Sequence, residues 1–433
     1  MRFHIVVALI TGLSFAAIAA AAQDHADPAR VAAVLDGAES TANAAWWGFE
    51  PEDSTALLQA AIDSGAETVR IPFMSVPWIV TGLELRSNQT IVLEPGVVIL
   101  AKEGAFKGKS DCLVNARLVE NVRIVGTGAT LRMRKADYQT DGYEPAEWRH
   151  TLSLRGVRNV VVDGLRLESS GGDGIYFGTG GEKRPYCENV TVKNVVCHDH
   201  HRQGMSVITA RDLLIEDCIL SDTDGTAPEA GIDVEPNRAS EKLENVRIED
   251  CIFRNNTGAA MQVYVKPLSV ETAPIEVTFA RCHVENNRGP GIRVGAVPAG
   301  TRGYIRYEDC TIENTQRQGA YIYDKAADGA RVTIATCSFA NVGAASDSVI
   351  PLHLVVRRTE IAPTLGGVAF ENVRIYDDAA RHAIKVVGKP DTPAPRAITG
   401  DISVCNPEGV STDLGNLTGA EPLAVTPMAT GCP

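Results

Sequence analysis

Aromatic residues and clustered basic residues are scarce in this chain of 433 residues. Phe, Trp and Tyr make up 6% of it, so a core has to be built from Ile, Val and Leu, the side chains that fill buried β-sheet faces. The formal net charge is −13, and nucleic-acid binding needs clustered Lys and Arg that this balance does not offer. We therefore expect no nucleic-acid partner. The same charge disfavours a polyanionic sugar, unless a local basic cleft overrides the mean.

The ten cysteines contain no Cys-x-x-Cys pair, which argues against a zinc site, and we predict no metal ligands. Cys405 and Cys432 flank the carboxyl-terminal tail and are candidates for a disulfide in an exported protein. Cys112 and Cys187 have no evident partner. The other six follow the second strand of successive repeats and are predicted to stack as an inward ladder of thiols: Cys197, Cys218, Cys251, Cys282, Cys310 and Cys337.

One long apolar run, from Phe3 to Ala22, follows Met1 and Arg2 and ends in a cluster of alanines. This pattern is typical of a cleaved secretory signal, with an uncleaved membrane anchor as the alternative reading. We predict a signal peptide over residues 1–22 and export to the periplasm or beyond. For the mature chain we expect a monomer without stable membrane insertion.

A short apolar–polar–apolar phrase recurs along the chain. Its middle positions lie 27 to 32 residues apart, and they are Tyr176, Ser206, Asp233, Gln262, Arg293, Tyr321, His353 and Lys385. A second strand can be aligned in each period, with no helical stretch between them. Two or three short strands per turn at this period predict an all-β fold, a single-stranded right-handed parallel β-helix.

The segment before the repeats has the signals of a short helix. Asp53 or Ser54 can cap its amino terminus, and apolar residues follow at helical spacing up to Ile62. We therefore predict four segments: the signal peptide, an amino-terminal segment with a cap helix over residues 23–66, the β-helix over residues 67–388, and a Pro- and Gly-rich tail over residues 389–433.

Three neighbouring repeats carry the densest set of outward polar residues. Because repeats stack in register, these side chains should share one face of the solenoid. Asp233, Glu235 and Asp173 are the predicted catalytic residues. A larger set is predicted to bind substrate: His200, His201, Arg202, Tyr176, Asn237, Gln262, Tyr264, Lys266 and Arg293. A long loop over residues 133–149, with Tyr138, Tyr143 and Trp148, is predicted to form a wall of the groove.

Paired carboxylates suit glycoside hydrolysis, which needs a protonated carboxyl at the leaving oxygen and an ionised one that activates water or attacks. Asp233 and Glu235 are two residues apart on one predicted strand, which places their Cα atoms about 7 Å apart. Like-charge proximity would raise one pKa and so supply the acid. The alternative interpretation of these acids is ordinary solvated surface.

The passage from Asp53 to Ile99 resembles the amino-terminal cap and first coils of the pectate-lyase-like superfamily, which includes the polygalacturonase-type glycoside hydrolases. Asp173-Gly174-Ile175 is similar to that family's Asn-Thr-Asp-Gly phrase, and His201-Arg-Gln-Gly204 sits where the family has Gly-His-Gly. The family's Asp-Asp pair and its Arg-Ile-Lys are missing here. The resemblance implies an exported enzyme that cleaves a polysaccharide or oligosaccharide.

Two other functions remain open at this level. A polysaccharide lyase or uronan epimerase would use Lys, Arg, Tyr or His to remove a proton, and the acids would then be ligands for calcium. A non-catalytic glycan-binding solenoid would use no acid chemistry. Hydrolysis requires no cofactor, so calcium is a candidate cofactor only in the lyase or epimerase alternative.

Overall fold

The computed structural model describes residues 25–419, 423–428 and 432. The predicted signal peptide lies outside these residues. Two α-helices, Pro28–Leu35 and Thr55–Ile62, and two short 3₁₀ turns, Ala44–Trp47 and Asp137–Gln139, are the helical elements of the described part. Leu58, Ala61 and Ile62 of the second helix are buried against the start of the solenoid, so this helix caps it as predicted.

A sheet of twelve parallel strands forms one side of the solenoid. Each coil contributes one strand, and all neighbours pair in parallel. In chain order the strands are Leu83–Glu84, Val114–Arg117, Leu152–Arg155, Ile175–Gly178, Met205–Val207, Ile232–Val234, Met261–Tyr264, Ile292–Val297, Ala320–Lys325, Leu352–Val355, Ile384–Val387 and Thr412–Asp413. We call it the front sheet.

A second sheet of 24 parallel strands completes the coils, and it runs as two rows. The first row comprises Thr41–Asn43, Thr68–Ile71, Gln89–Leu93, Glu120–Val125, Arg158–Asp163, Cys187–Lys193, Ala210–Glu216, Leu243–Glu249, Ile275–Ala280, Gly303–Glu308, Arg331–Ala335, Gly366–Tyr376, Arg396–Cys405 and Leu423–Pro427. The second row comprises Trp78–Val80, Val98–Ala101, Thr130–Arg132, Arg166–Glu168, Val196–His198, Ile219–Ser221, Ile252–Arg254, His283–Glu285, Thr311–Glu313 and Ser338–Ala340. The predicted β-helix is therefore the observed fold.

The core is a set of aliphatic stacks between the two sheets. On the front sheet Ile232 and Val234 are fully buried and pair with Met205 and Val207 of the preceding coil. Asp233 lies between Ile232 and Val234, so its side chain leaves the sheet on the opposite side. The alternation read from the sequence thus fixes which side chains can reach the outer surface of this sheet.

Turns between the rows repeat one backbone conformation. Asn194, Asp217, Asp250 and Asp309 follow first-row strands with positive φ, a conformation that Asn and Asp tolerate better than other side chains. Because the same short turn recurs in successive coils, the coils stay in register over the length of the solenoid.

The cysteine ladder contains five members rather than the predicted six. Cys218, Cys251, Cys282, Cys310 and Cys337 each precede a second-row strand, and those strands pair without a shift, so the five stack. Cys197 lies inside its own strand and pairs with Leu220. All six are buried free thiols, as are Cys112 and Cys187, whereas Cys405 and Cys432 form the predicted disulfide.

The sheets extend further in both directions than residues 67–388. Thr41–Asn43 pairs with Thr68–Ile71 at the amino-terminal end. At the other end, Arg396–Cys405 pairs with Gly366–Tyr376, and Leu423–Pro427 pairs in turn with Arg396–Cys405. The Pro- and Gly-rich tail therefore carries strands. Pro390, Pro393 and Pro395 fall in the loop before the strand Arg396–Cys405.

Candidate functional site

One polar side chain per coil projects from the middle of the front sheet. Strand pairing places these residues next to one another across successive coils: Ser153, Tyr176, Ser206, Asp233, Gln262, Arg293, Tyr321, His353 and Lys385. Neighbouring strands lie about 4.8 Å apart, so the row forms a continuous polar line along the solenoid. Eight of these nine positions are those of the sequence repeat.

Asp233 and Glu235 form a coupled acidic pair in this row. Asp233 is fully buried, and its Oδ2 accepts a hydrogen bond of 3.0 Å from Gln203 Nε2. Glu235 follows directly after the strand, with 28% of its side chain exposed. Burial and the neighbouring Asp233 carboxyl raise the pKa of Glu235 to about 8. Burial also raises the pKa of Asp233. The two carboxyls therefore titrate as a pair, and together they retain a proton near neutral pH.

Arg202 lies at the centre of the surrounding carboxyls. Its guanidinium nitrogens are 3.5 Å from Glu235 Oε2, 3.8 Å from Asp173 Oδ1 and 3.6 Å from Glu147 Oε2. Burial alone would lower the pKa of Arg202, but these carboxyls and Asp233 raise it above its ordinary value. The guanidinium stays charged and connects acids from three separate coils.

Asp173 is fully buried on the other side of Arg202. Its two carboxyl oxygens have no hydrogen-bond partner, and burial raises its pKa to about 7, although Arg202 opposes this shift. His150 Nδ1 accepts a hydrogen bond of 3.1 Å from the Asp173 backbone N–H and lies 3.2 Å from Asp173 Oδ2. Burial lowers the pKa of His150 well below its ordinary value, so the imidazole is neutral.

Unpartnered polar atoms are concentrated at this place. Buried side-chain atoms without a hydrogen-bond partner include His150 Nε2, His200 Nε2, Arg202 Nε, Ser206 Oγ and Asp233 Oδ1. Buried polar groups in folded proteins are nearly always bonded, because an unmet group costs free energy. A cluster of unmet groups around four carboxyls therefore marks a place built for something other than stability.

Two histidines predicted to bind substrate, His200 and His201, are buried. His200 is fully buried, its Nδ1 is 2.8 Å from Ser170 Oγ, and burial lowers its pKa to about 3. His201 is 8% exposed, and its Nε2 is 2.9 Å from Thr226 Oγ1 of the next coil. The Nε2 atom of His201 is therefore bonded to Thr226. This contact holds the next turn in place, and the Nε2 edge of the ring is not available to a substrate.

The remaining predicted site residues fall into three groups. Gln262 contacts Asp233 from the following coil, and Tyr176 stacks on His150 at a centroid distance of 4.6 Å, so these two border the acidic cluster. Tyr264 and Arg293 lie on the same face one and two coils further along. Two others stand apart in exposed turns: Asn237 and Lys266. The predicted gathering of Asp173, Arg202, Asp233 and Glu235 is present, but Lys266 does not join it.

Sequence reasoning missed Glu147 and His150. His150 stands three residues before Ser153, just as Asp173 and Gln203 precede Tyr176 and Ser206, so the repeat itself holds the signal for it. Glu147 has no such signal. It belongs to the long loop, and only the folded path of that loop brings it to Arg202.

The long loop packs against the site mainly through buried groups. Tyr138 is 3% exposed, and Arg149 is fully buried and donates to backbone carbonyls of Phe106, Lys107 and Glu144. Trp148 is the large apolar side chain that the loop leaves open, with 43% exposure. Of the three aromatic residues predicted as a groove wall, Tyr138 is buried, Tyr143 is half-buried and Trp148 is exposed, and Trp148 directly follows Glu147.

Within the described ranges, no three or more His, Cys, Asp and Glu side chains are grouped so that they could hold a metal ion. None of the helices in this part of the chain has the length and apolar character needed to cross a membrane.

Comparison with known proteins identifies the fold from sequence as well. A family model described as "Right handed beta helix region" matches residues 146–296. The SPbeta prophage-derived uncharacterized protein YorA of Bacillus subtilis is 26% identical over 195 residues, which covers 42% of this chain and 33% of that protein. The uncharacterized protein YclG of the same organism is 25% identical over 162 residues, covering 36% and 27%. These matches span a third or less of the curated relatives.

Solved structures share the architecture over most of this chain. The A-module of the mannuronan C-5 epimerase AlgE4 of Azotobacter vinelandii superimposes with a TM-score of 0.65 and 16% identity, covering 89% of this chain and 99% of the module. The tailspike protein of E. coli bacteriophage HK620, in complex with a pentasaccharide, gives 0.58 and 16%, covering 90% and 79%. The family 28 exopolygalacturonase of Yersinia enterocolitica gives 0.55 and 13%, covering 91% and 79%.

Identities this low establish the fold and leave the reaction open. The strand topology, the family match and the structural neighbours agree with one another and confirm the resemblance predicted from the sequence. This chain therefore has the right-handed parallel β-helix fold, which the family model also recognises over residues 146–296.

Proposed function

We propose that the protein is an exported carbohydrate-active enzyme that hydrolyses glycosidic bonds of a polysaccharide or oligosaccharide. The observation that carries the proposal is the set of three carboxyls around Arg202, two of them fully buried and all three with raised pKa values. Three of the structural neighbours are named as proteins that act on or bind saccharides: the mannuronan epimerase, the exopolygalacturonase and the tailspike in complex with a pentasaccharide.

The proposed chemistry assigns a role to each carboxyl. Glu235 holds a proton near neutral pH and has the exposed edge, so it donates that proton to the glycosidic oxygen as the bond to the sugar carbon breaks. Asp173 has two unpartnered oxygens, and in its ionised form it takes a proton from the water that attacks the same carbon. The neighbouring Asp233 carboxyl raises the pKa of Glu235, and Arg202 lies between Asp173 and Glu235.

The test is a panel of purified polysaccharides, read for new reducing ends and for the ultraviolet absorbance of unsaturated uronates. We expect reducing ends without unsaturated products. Glu235→Gln should lower kcat at least about 100-fold, because the general acid is lost, while the substrate still binds. A matched control is Glu285→Gln, which changes a carboxyl on the second-row strand His283–Glu285, away from the front sheet.

Unsaturated products would show that the reaction is elimination and not hydrolysis. Activity retained by the Glu235→Gln variant would show that Glu235 is not the general acid. Binding of a saccharide by the wild type and by both Gln variants, with no turnover of any polymer, would make the protein a non-catalytic glycan-binding solenoid.

Elimination or C-5 epimerisation is the second candidate, and one feature of the groove favours it. The Tyr264 hydroxyl lies 3.4 Å from Arg358 Nη1, with Arg293 on the adjacent strand. A phenol can remove the proton beside a uronate carboxyl while a guanidinium neutralises that carboxyl. Hydrolysis ranks first, because Arg202 is already matched by Glu147, Asp173 and Glu235 and these acids would repel a uronate carboxyl at the reacting sugar.

A further inference from the structure

The polar row of the front sheet changes character beyond Gln262. Arg293 follows Gln262, and Tyr321, His353 and Lys385 follow Arg293 in the next three coils. The row thus passes from acids to a guanidinium, a phenol, an imidazole and an ammonium. Two coil steps separate Asp233 from Arg293, which is about 10 Å along the axis.

Three arginines meet around two tyrosines at this second place. The guanidinium carbons of Arg293 and Arg357 each lie 5.5 Å from the centre of the Tyr323 ring. Arg358 reaches the Tyr264 hydroxyl with Nη1 at 3.4 Å. We call Arg293, Arg357, Arg358, Tyr264 and Tyr323 the arginine cluster.

The loop that carries two of these arginines is held in place. Both oxygens of the fully buried Asp324 are used: Oδ1 accepts from the backbone N–H groups of Arg357 and Arg358 at 2.6 and 2.8 Å, and Oδ2 accepts from Arg358 Nε at 2.8 Å. The loop is therefore fixed without neutralising Arg357, and Arg358 keeps its outer nitrogens for other partners.

The cluster has more positive charge than its protein surroundings balance. Across the described part of the chain, neither Arg293 nor Arg357 forms an ion pair with a carboxylate, whereas Arg358 is paired with Asp324. The Arg293 Nε is buried and has no hydrogen-bond partner. The net charge of the chain is −13, so two unpaired guanidiniums beside the Tyr323 ring form a local positive patch on an acidic protein.

We propose that the arginine cluster is a subsite for an acidic sugar, and that the substrate of the proposed enzyme is an anionic polysaccharide. A planar guanidinium binds carboxylate or sulfate oxygens with two parallel N–H groups. The inference rests on the proposed function, which places the reacting sugar of the polysaccharide at the acids. The anionic group is then bound about 10 Å away at the arginine cluster, where the acids do not repel it. The local basic cleft thus overrides the mean charge.

Binding of matched polymers tests the subsite. Dextran sulfate and dextran share a backbone and differ in charge, and polygalacturonate and alginate add carboxylates. We expect wild-type protein to bind acidic polymers but not dextran, with affinity that falls as salt is raised. Arg293→Gln together with Arg357→Gln should weaken this binding about tenfold or more, since two charge-assisted contacts are lost. Arg123→Gln is the control, because Arg123 is exposed on the first-row strand Glu120–Val125.

The outcomes separate the subsite from the catalytic proposal. Loss of acidic-polymer binding in the double variant supports the subsite even if no polymer is turned over. In that case the hydrolase proposal is wrong and the subsite proposal still holds. Equal binding of dextran and dextran sulfate, no binding of any acidic polymer, or unchanged binding by the double variant overturns the subsite even if a neutral polymer is hydrolysed. Thermal unfolding of the variants shows whether a loss reflects misfolding, and the charge-reversed Arg357→Glu should lose more affinity than Arg357→Gln.

Discussion

At the scale of single residues, the site depends on how burial distributes protons among Asp173, Asp233 and Glu235. Removing a carboxyl from water disfavours its charged form, and a neighbouring carboxylate disfavours it further. Arg202 offsets part of this cost without balancing all the acids. The result is a group of carboxyls that hold protons near neutral pH, where exposed carboxyls would have lost them.

The pH dependence of turnover follows from two of these groups. Asp173, with a pKa of about 7, is ionised above that pH, and Glu235, with a pKa of about 8, is protonated below that pH. We expect kcat/KM to follow a bell with limbs near these two values. Asp233→Asn removes the like charge beside Glu235, so the alkaline limb should move about one unit or more towards acid.

If turnover of the Asp233→Asn variant is too slow for a pH profile, a carbon NMR titration measures the pKa of Glu235 in that variant directly. An alkaline limb that stays in place in that variant would show that Asp233 does not control the proton on Glu235.

Asp173 should reduce the stability of the fold at alkaline pH. Its pKa is raised in the folded protein, so between the ordinary carboxyl pKa and about 7 the folded state binds more protons than the unfolded state, and stability falls as pH rises through this window. We expect Asp173→Asn to be more stable than wild type at pH 8 by about 1–3 kcal/mol. The gain should shrink towards pH 4, where Asp173 is protonated, while activity is lost at every pH.

Thermal unfolding of both proteins across this range measures the effect. A stability difference that does not depend on pH would contradict the raised pKa. Asp163→Asn, which changes a half-buried carboxyl on the first-row strand Arg158–Asp163, is the matched control.

The residues that could be predicted from sequence are those that the repeat places. Asp233 and Gln262 occupy the same position of neighbouring repeats, so their contact follows from register. His150 required the same argument at a different position of the repeat. Glu147 could not be predicted, because its place depends on the tertiary path of a loop outside the repeat. The inward position of His201 was also missed, since a polar turn gives no sign of which side chain its neighbouring coil will bind.

At the scale of elements, one lysine near the start of the long loop contacts two neighbouring coils. Lys135 Nζ lies 2.8 Å from Asp199 Oδ1 and also contacts Asp224, so it connects the loop to two further coils. Its side chain is 15% exposed. These contacts hold the loop whose other end carries Glu147 and Trp148 at the site.

Loosening this lysine contact should change substrate binding more than chemistry. For Lys135→Gln we expect KM to rise about fivefold, which corresponds to ~1 kcal/mol, with kcat changed less. Steady-state kinetics on the hydrolysed polymer measures both values. Lys193→Gln, which removes an ion pair with Asp163 on the opposite sheet, should leave KM unchanged. Equal effects of the two substitutions would show that the loop does not contribute to binding.

Strand positions were predictable where a regular phrase recurs, and less so where the pattern is only apolar. The front-sheet register follows from the repeat, while Cys197 was assigned to the wrong position because a strand of three residues tolerates a shift of one in an apolar alignment. For the strand Arg396–Cys405, the sequence predicts only the last four residues, Ile402-Ser-Val-Cys405, since the prolines before them indicate an end to regular structure.

At the scale of the whole molecule, each coil contacts mainly the coils before and after it. Stability in such a fold is close to a sum of local interfaces. Phe253 is fully buried under Gly231 in the middle of the solenoid. We expect Phe253→Ala to cost about 3–5 kcal/mol and to lower amide-exchange protection first in the two adjoining coils.

Phe339→Ala is the matched substitution in a distant coil, where Phe339 is also fully buried. It should lower protection near the strand Ser338–Ala340 and leave the coils around Phe253 protected. Hydrogen exchange followed by mass spectrometry distinguishes the two. A uniform loss of protection in both variants would mean that the solenoid unfolds as a single cooperative unit.

The in-register row on the front sheet also links the number of coils to the reach of the groove. Inserting or deleting one whole repeat between Gln262 and Arg293 would move the arginine cluster by about 4.8 Å relative to the acids, while leaving each local turn intact. In a solenoid, duplication of about thirty residues is therefore enough to change which charge spacing on a polymer is recognised. Related chains with different numbers of coils would then recognise polymers with different spacings between their charged groups.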